Sequence, residues 1–591
     1  MKHLILTSFL AVALCGSHHV ACLESSQWGG TSQHLWNNVS VIGTQPLLGI
    51  VKGTADECDV VMNLSANQRC EFVKSTPDCS QEDGFINYPR FTFCQFSPRL
   101  LPLAITIYAV WLLFLFLALG LAASKFFCPN LSAISSTLRL THNVAGVTFL
   151  ALGNGAPDVF SAMAAFSRPQ TAGLAIGALF GAGIFVTTVV AGCVALVKPF
   201  TVASRPFLRD MIFYMAAVFW TFTILFKGHI YLAEALGYIC LYMVYVATVL
   251  ISAYIYNYRK RSINGPTPSH TPDLLTGDDD YAESLNKSIQ TYGDDEEYQP
   301  MLPHTLSTSQ IFLGSLKPVD SRKWRRKSWA WRLLKVVKIP LEVLLLLTVP
   351  VVDPDKEDHN WNRPLNSLHL ITGPLVCILT FNSGKYGMYH IQGEFPVWAL
   401  VVLLGVFLAA IVFCSTTNEQ PPPYHFLFSL LGFVVSALWI NTAASEVVSV
   451  LHMLGIVFSL SNTVLGLTLL AWGNSIGDLF SDTLIARQGY PRMAISACFG
   501  GIIFNMLFGV GLGCLLQMFG GHHEVKFEPE GLLCWILSGA LGLSLVLSFV
   551  LVPLQCFHLS RAYAVFLIVF YCVFLLVALL TEFGKIHFGG L

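Results

Sequence analysis

Charge is what this 591-residue chain has least of: Lys, Arg, Asp and Glu together make up 12% of it, about half the share of an ordinary soluble domain. That shortage excludes a soluble multidomain enzyme and a disordered scaffold. The 34 Lys plus Arg are matched by 35 Asp plus Glu, and the missing basic surplus excludes a nucleic-acid binder. No paired Cys/His spacing of the zinc type occurs, so single cysteines such as Cys193, Cys240 and Cys514 read as members of apolar runs. No Arg precedes Arg69, which argues against an Arg-rich transit peptide. What fills the chain instead is 54% hydrophobic residues. The composition is that of an all-α polytopic membrane protein.

The N-terminus carries Lys2, the apolar run Leu4–Leu14 and a small-residue stretch ending at Ala21. This pattern predicts a cleaved signal-like segment over 1–21, because the apolar run is too brief to span about 30 Å. A polar segment over 22–100 follows, holding Cys58, Cys70, Cys79 and Cys94. Two disulfides on a non-cytosolic face are expected, with the pairing left open by the spacing. Asn38 and Asn63 stand in glycosylation sequons on the same side.

Apolar runs long enough to cross a bilayer fall at about 101–123, 140–167, 171–197, 210–227 and 232–256, then at about 365–382, 396–414, 426–445, 460–486, 493–518, 531–557 and 562–581. The run Ile339–Val352 is too short to span and predicts an interfacial helix. Between the halves, residues 257–338 concentrate 13 Lys/Arg and 10 Asp/Glu, including the acidic clusters 278–280 and 294–297. They read as a solvated inner-side loop. With the cysteine-rich segment outside, Lys125, Arg205, Arg209, Arg259, Arg487, Arg492 and Arg561 all fall on the inner face, as the positive-inside rule asks.

Self-comparison shows an internal repeat. Residues 146–161 match 466–481 without a gap at 9 of 16 positions, and 175–186 match 494–505 at 7 of 12. By the span count the first copy runs inside to outside and the second outside to inside. Such an inverted repeat is how secondary transporters place substrate near the bilayer midplane. Gly153, Gly155 and Pro157, like Gly473 and Gly477, are expected to break their helices there and free carbonyl oxygens. Asp158 and Asp478 are taken as the only acidic residues inside these two spans, each four residues after an amide, Asn154 and Asn474, on one helix face. Ser475 adds a hydroxyl. Carboxylate, amide, hydroxyl and carbonyl oxygens make the kind of site Ca2+ prefers. Packing by small residues with Asn as polar glue accounts for Gly and Asn, but not for a buried Asp in each copy.

These motifs, Gly-Asn-Gly-Ala-Pro-Asp158, Gly-Asn-Ser-Ile-Gly-Asp478 and Phe-Gly-Gly-Ile-Ile-Phe-Asn505, resemble the alpha-repeats of the cation/calcium exchanger superfamily, most of all its mitochondrial branch. The resemblance covers nearly the whole chain past the N-terminal segment. It implies two inverted five-helix repeats, 101–256 and 426–591, with extra helices in 339–425. It further implies alternating access, Na+ or Li+ exchanged for Ca2+ exported from the matrix, and the inner mitochondrial membrane, whereas the signal-like N-terminus points to a plasma or endomembrane. A ligand set of Asn154, Asp158, Asn474, Ser475, Asp478 and Asn505, with carbonyls at Ala151 and Ala471, follows from it. Departures stand out: relatives carry Glu where Asp158 and Asp478 stand, and Ala182, Val186 and Gly501 offer no side-chain oxygen. H+/Ca2+ exchange through the same site is the alternative. No resident cofactor is expected, only transported Ca2+ with Na+, Li+ or H+.

An intramembrane aspartyl protease also needs two Asp on facing helices, but duplicated Asn-x-x-x-Asp contexts favour a symmetric ion site over an acid/base pair. A passive channel is a second rival, separable by whether Ca2+ flux needs a counter-ion gradient. Arg259-Lys-Arg-Ser262 suits a basophilic kinase, with Ser262 just inside the fifth span. Glu446 follows a span near Asn441 and reads as a helix-end carboxylate or a proton-sensitive gate.

Overall fold

The computed structural model describes residues 58–76, 79, 85–137, 151–166, 171–197, 199–263, 308–316, 329–353, 359–380, 387, 389–391, 395–418, 420–487, 489, 491–519, 524–526 and 531–584. The signal-like segment, Asn38 and the acidic clusters lie outside these residues, as do the side chains of Asn154 and Ser262.

In chain order, α1 (Ala66–Ser75) and α2 (Tyr88–Gln95) form a small outer cap. Disulfides Cys58–Cys79 and Cys70–Cys94 staple it, and Asn63 is exposed on its first turn. The first repeat comprises α3 (Leu101–Ala122), α4 (Cys128–Thr137), α5 (Ala151–Phe166), α6 (Ala172–Phe185), α7 (Ala191–Val197), α8 (Ser204–Lys227) and α9 (Leu232–Ile263). After α10 (Thr308–Ser315), three accessory helices intervene: α11 (Trp329–Thr348), α12 (Arg363–Thr380) and α13 (Val397–Ser415). The second repeat is α14 (Phe426–Phe458), α15 (Asn462–Leu465), α16 (Ala471–Arg487), α17 (Pro491–Phe504), α18 (Val510–Phe519), α19 (Gly531–Leu554) and α20 (Arg561–Glu582). Among the described residues, nine helices are long and apolar enough to cross a bilayer; α11 is not one of them.

The repeat is visible in the backbone. Turns of π-helix begin at matched positions, Val186–Val190 between α6 and α7 and Asn505–Gly509 between α17 and α18. Short strands then fix which loops share a membrane face. Phe200–Thr201, between α7 and α8, pairs with His558–Leu559, between α19 and α20. His229–Tyr231, between α8 and α9, pairs with Glu524–Lys526, between α18 and α19. The first pair joins two loops that inverted topology puts inside, the second two loops it puts outside. A parallel repeat would place the partners of each pair on opposite faces.

Lipid tails are as apolar as Leu, so helices associate in a bilayer by close packing. At the centre, α6 crosses the π-turn Gly466–Leu470 backbone against backbone. A Cβ built on Gly177 would stand 2.2 Å from the Thr463 carbonyl oxygen, and one on Gly466 2.2 Å from that of Leu174. Side chains on either would force the two repeats apart.

Two sequence expectations are corrected. Glu446 does not end a helix: α14 runs on to Phe458. About 30 Å along α14, the Glu446 carboxylate is buried and accepts hydrogen bonds from Tyr88 Oη at 2.6 Å and the Phe85 amide at 2.7 Å. Beyond it, Ile456 packs on Cys58 and Cys79 of the cap. The apolar run continues through Val447–Phe458, so the span ends early in the sequence only because the charge of Glu446 interrupts it. The interfacial helix likewise begins ten residues before Ile339, at Trp329. Glu342 on its inward face pairs with Lys125, and with Lys335 at 2.9 Å. Burial pushes the Glu342 carboxyl up, but these two ammonium groups outweigh it and hold its pKa below the usual glutamate value. At the far end of α11, Asn130 donates to the Pro350 carbonyl at 2.8 Å and accepts from the Val352 amide at 3.0 Å. Thr348 accepts from Trp439 of α14 at 3.1 Å. The accessory helices thus hold α4 and α14 together.

Candidate ion site

The two matched motifs face one another. Asp158, on α5, is half-buried; Asn505 donates from Nδ2 to its Oδ2 at 2.6 Å. Asn505 belongs to the second repeat. Ser161 donates to Asn474 Oδ1 at 3.5 Å, a marginal contact that runs the other way across the seam. The Asp478 carboxylate lies within electrostatic reach of Asp158. Asp158, Asn474, Asp478 and Asn505 are therefore brought together, while nothing is described of the Asn154 side chain.

Two oxygens at this seam are buried without a hydrogen-bond partner, Ser475 Oγ and Asn505 Oδ1. Buried polar atoms nearly always find partners, so orphan acceptors beside carboxylates are what an all-oxygen cation cradle looks like. The oxygen of Asn505 is directed at Gly155, where a built Cβ would stand 2.2 Å away. Among the described residues no Lys or Arg ion pair involves Asp158 or Asp478.

The helices are not broken where glycine and proline suggested. Helix α5 runs unbroken through Pro157, and α16 runs through Gly473 and Gly477. The departure from α-geometry in the second copy comes before the motif, in the π-turn Gly466–Leu470. A proline costs a helix one N–H rather than its path, and the carbonyl it leaves without a partner is four residues back. The oxygen freed by Pro157 is thus that of Gly153, not Ala151. Ala471 follows the π-turn directly, and its own amide bonds the Gly466 and Thr468 carbonyls.

Cover over the site is unequal. Ala156 is fully buried, whereas its counterpart Ile476 is 52% exposed and Phe480 63% exposed. Helix α14 packs along α5, while α3 meets α16 through Phe116 at Gly473. The inner half of α16 is open, and the outer stretch Thr463–Leu467 is buried.

The expectation that Asp158 and Asp478 are the only acidic residues of the two spans is corrected: the second span, 460–486, also holds Asp482. Asp482 on α16 is 5% exposed, and its Oδ2 accepts from Cys498 Sγ at 3.1 Å. Its counterpart is Ala162, so matching the copies discards it; a count of acidic residues within the span finds it. Asp210 on α8 is also buried, but Arg209 neutralises it at 2.8 Å and Tyr245 donates to it at 3.2 Å.

Two copies of one helix succession, oppositely inserted and sharing an oxygen cradle, define a secondary transporter. The family model described as sodium/calcium exchanger protein matches residues 108–251 and 428–580, one stretch in each repeat. The chain belongs to the sodium/calcium exchanger family. It is 60% identical over 543 residues to the mitochondrial sodium/calcium exchanger protein of Homo sapiens, covering 92% of each chain. To cation/calcium exchanger 1 of Arabidopsis thaliana it is 29% identical, covering 91% of this chain and 92% of that one. Among solved structures it is similar to the H+/Ca2+ exchanger CAX, at 12% identity and a TM-score of 0.39, with 82% of this chain and 91% of that one covered.

Proposed function

We propose that the chain is a Na+ or Li+/Ca2+ antiporter of the mitochondrial inner membrane that exports Ca2+ from the matrix by alternating access. The hydrogen bond of Asn505 to Asp158 across the repeats, beside the unpartnered oxygens of Ser475 and Asn505, carries this reading. Two carboxylates offset one Ca2+, and the neutral oxygens complete its shell. The names of the 60%-identical vertebrate relatives, which call them mitochondrial sodium/calcium exchangers, support the counter-ion and the membrane. Asn154 and the backbone carbonyls of Gly153 and Ala471 belong to the same proposed ligand set. Ser262, in the last turn of α9, is its proposed regulatory phosphorylation site for a basophilic kinase.

The test is Ca2+ efflux from proteoliposomes of the purified chain with one gradient imposed at a time. Efflux that is absent until Na+ or Li+ is added supports the proposal. Robust efflux under a pH gradient alone, unchanged by Na+, would replace it with H+/Ca2+ exchange. Downhill Ca2+ flux with no counter-ion would make the protein a channel.

A further inference from the structure

Of the buried carboxylates in the described membrane helices, Asp210 has Arg209, Glu446 has the cap, and Asp158 and Asp478 have the transported ion. Asp482 has only a thiol, a weak donor. An ionised carboxylate at this depth costs about 2.5 kcal/mol or more unless something positive offsets it. Among the described residues no ion pair includes it. Nor is it required for packing: the first repeat fills the matched position with Ala162, 1% exposed. A methyl group suffices there.

Ser475, Asp478 and Asp482 stand at i, i+3 and i+7 and form one stripe along α16. The stripe rises about 10 Å from the first to the last. Its outer end is the orphan Ser475 Oγ, fully buried; its inner end is Asp482. Asp478, between them, feels the charge of both Asp482 and Asp158. Asp478 thus has a carboxylate neighbour on either side, Asp158 across the repeats and Asp482 on its own helix, and one Ca2+ offsets two of the three.

We infer that Asp482 is a second cation station, one helical turn to the inner side of the Ca2+ site, where a small monovalent cation is held between Asp482 and Asp478. The Cys498 thiol gives up its weak bond to the carboxylate when the ion arrives. This station rests on the antiport reading and assigns the counter-ion a residue that the repeat symmetry does not supply. It also makes the two copies chemically unequal, since Ala162 offers the first repeat no such place.

The experiment compares the full-length chain with Asp482→Ala, the residue the first repeat carries, and with Asp482→Glu, in proteoliposomes. Two modes are measured: Na+-driven Ca2+ efflux, and exchange of Ca2+ for labelled Ca2+ with no alkali cation present. For Asp482→Ala, half-saturating Na+ should rise by about tenfold and the Na+ cooperativity should fall. Half-saturating Ca2+ in self-exchange should move less than about threefold, since the pair that holds Ca2+ is intact. Asp482→Glu should restore most of the Na+ response. A Na+ activation curve superimposable on wild type overturns the inference, and so does an equal loss of both modes in monodisperse protein. Should Asp482→Ala fail to insert, Asp482→Asn carries the same comparison at constant size. Wild-type protein with no Na+-driven efflux removes the antiport reading itself, a result distinct from either.

Discussion

Asn505, in the second repeat, donates its side-chain amide to the carboxylate of Asp158, in the first, at 2.6 Å. The bond closes the seam between the two halves at the point where their charges converge. It also leaves the other atom of the same amide, Oδ1, without a partner. One side chain therefore positions a ligand and offers another.

Replacing Asp158 or Asp478 with Asn keeps the size of the side chain and removes half of the charge that offsets Ca2+. Transport at limiting Ca2+ should fall below roughly a tenth of wild type while the protein still inserts. Flux in proteoliposomes, normalised to the amount of protein, checks this. Near-normal exchange by Asp478→Asn would remove Asp478 from the site.

The contact of α6 with the π-turn at Gly466 is built from backbone, so it should resist enlargement. Gly466→Val places atoms where the Leu174 carbonyl oxygen and the Ala178 amide nitrogen already stand. The expected cost is about 1–3 kcal/mol. Gly542→Ala on α19, where a built Cβ meets nothing within 4 Å, should change stability by less than about 0.5 kcal/mol. Thermal melting in detergent measures both, and equal melting temperatures would mean that the crossing yields easily.

Tyr88 gives its hydroxyl proton to Glu446 and accepts the Trp111 indole N–H at 2.9 Å. Tyr88→Phe removes one hydrogen bond from a buried carboxylate, which keeps the Phe85 amide, and one from a half-buried indole. A loss of about 1–3 kcal/mol is expected, whereas Glu446→Gln, which removes the charge and keeps an acceptor, should cost less. Melting curves of the two variants that coincide with wild type would show that the cap sits on α14 without holding it.

The disulfides close loops of 21 and 24 residues. Loops of that size contribute about 3 kcal/mol each by restricting the unfolded chain. A reductant should therefore lower the melting temperature of wild type and leave a variant lacking all four cysteines where it is. A cap that melts independently of the bundle would show instead as a separate, earlier transition.

Much of this arrangement could be read before any coordinates. Gly, Asn and Asp in register within apolar runs are rare enough to expose the repeat, and the count of spans gave the inverted order that the two strand pairs express. Symmetry had a cost, because Asp482 has no counterpart and disappeared from a comparison that rewards matches. A single acidic residue, Glu446, reads as the end of a span although the apolar run goes on to Phe458, because the sequence does not show that Tyr88 and the Phe85 amide satisfy its carboxylate. A π-turn has no residue signature that separates it from the surrounding helix, and Pro157 suggested a break where the backbone only drops one bond. Four cysteines allow three pairings, and the folded cap shows which one forms, Cys58–Cys79 with Cys70–Cys94.

That Asn505 reaches Asp158 from the opposite repeat bears on ancestry as well as on chemistry. A protein with a single copy could build the same cradle only by pairing with a second copy inserted the other way up. Such an ancestor would need nearly balanced Lys and Arg at its two ends, so that both insertions occur. The fused chain has no such freedom. Under the positive-inside rule the basic residues beside its spans, Arg259 and Arg561 among them, act on both copies at once, and each repeat is free to diverge because its partner can no longer be a copy of itself.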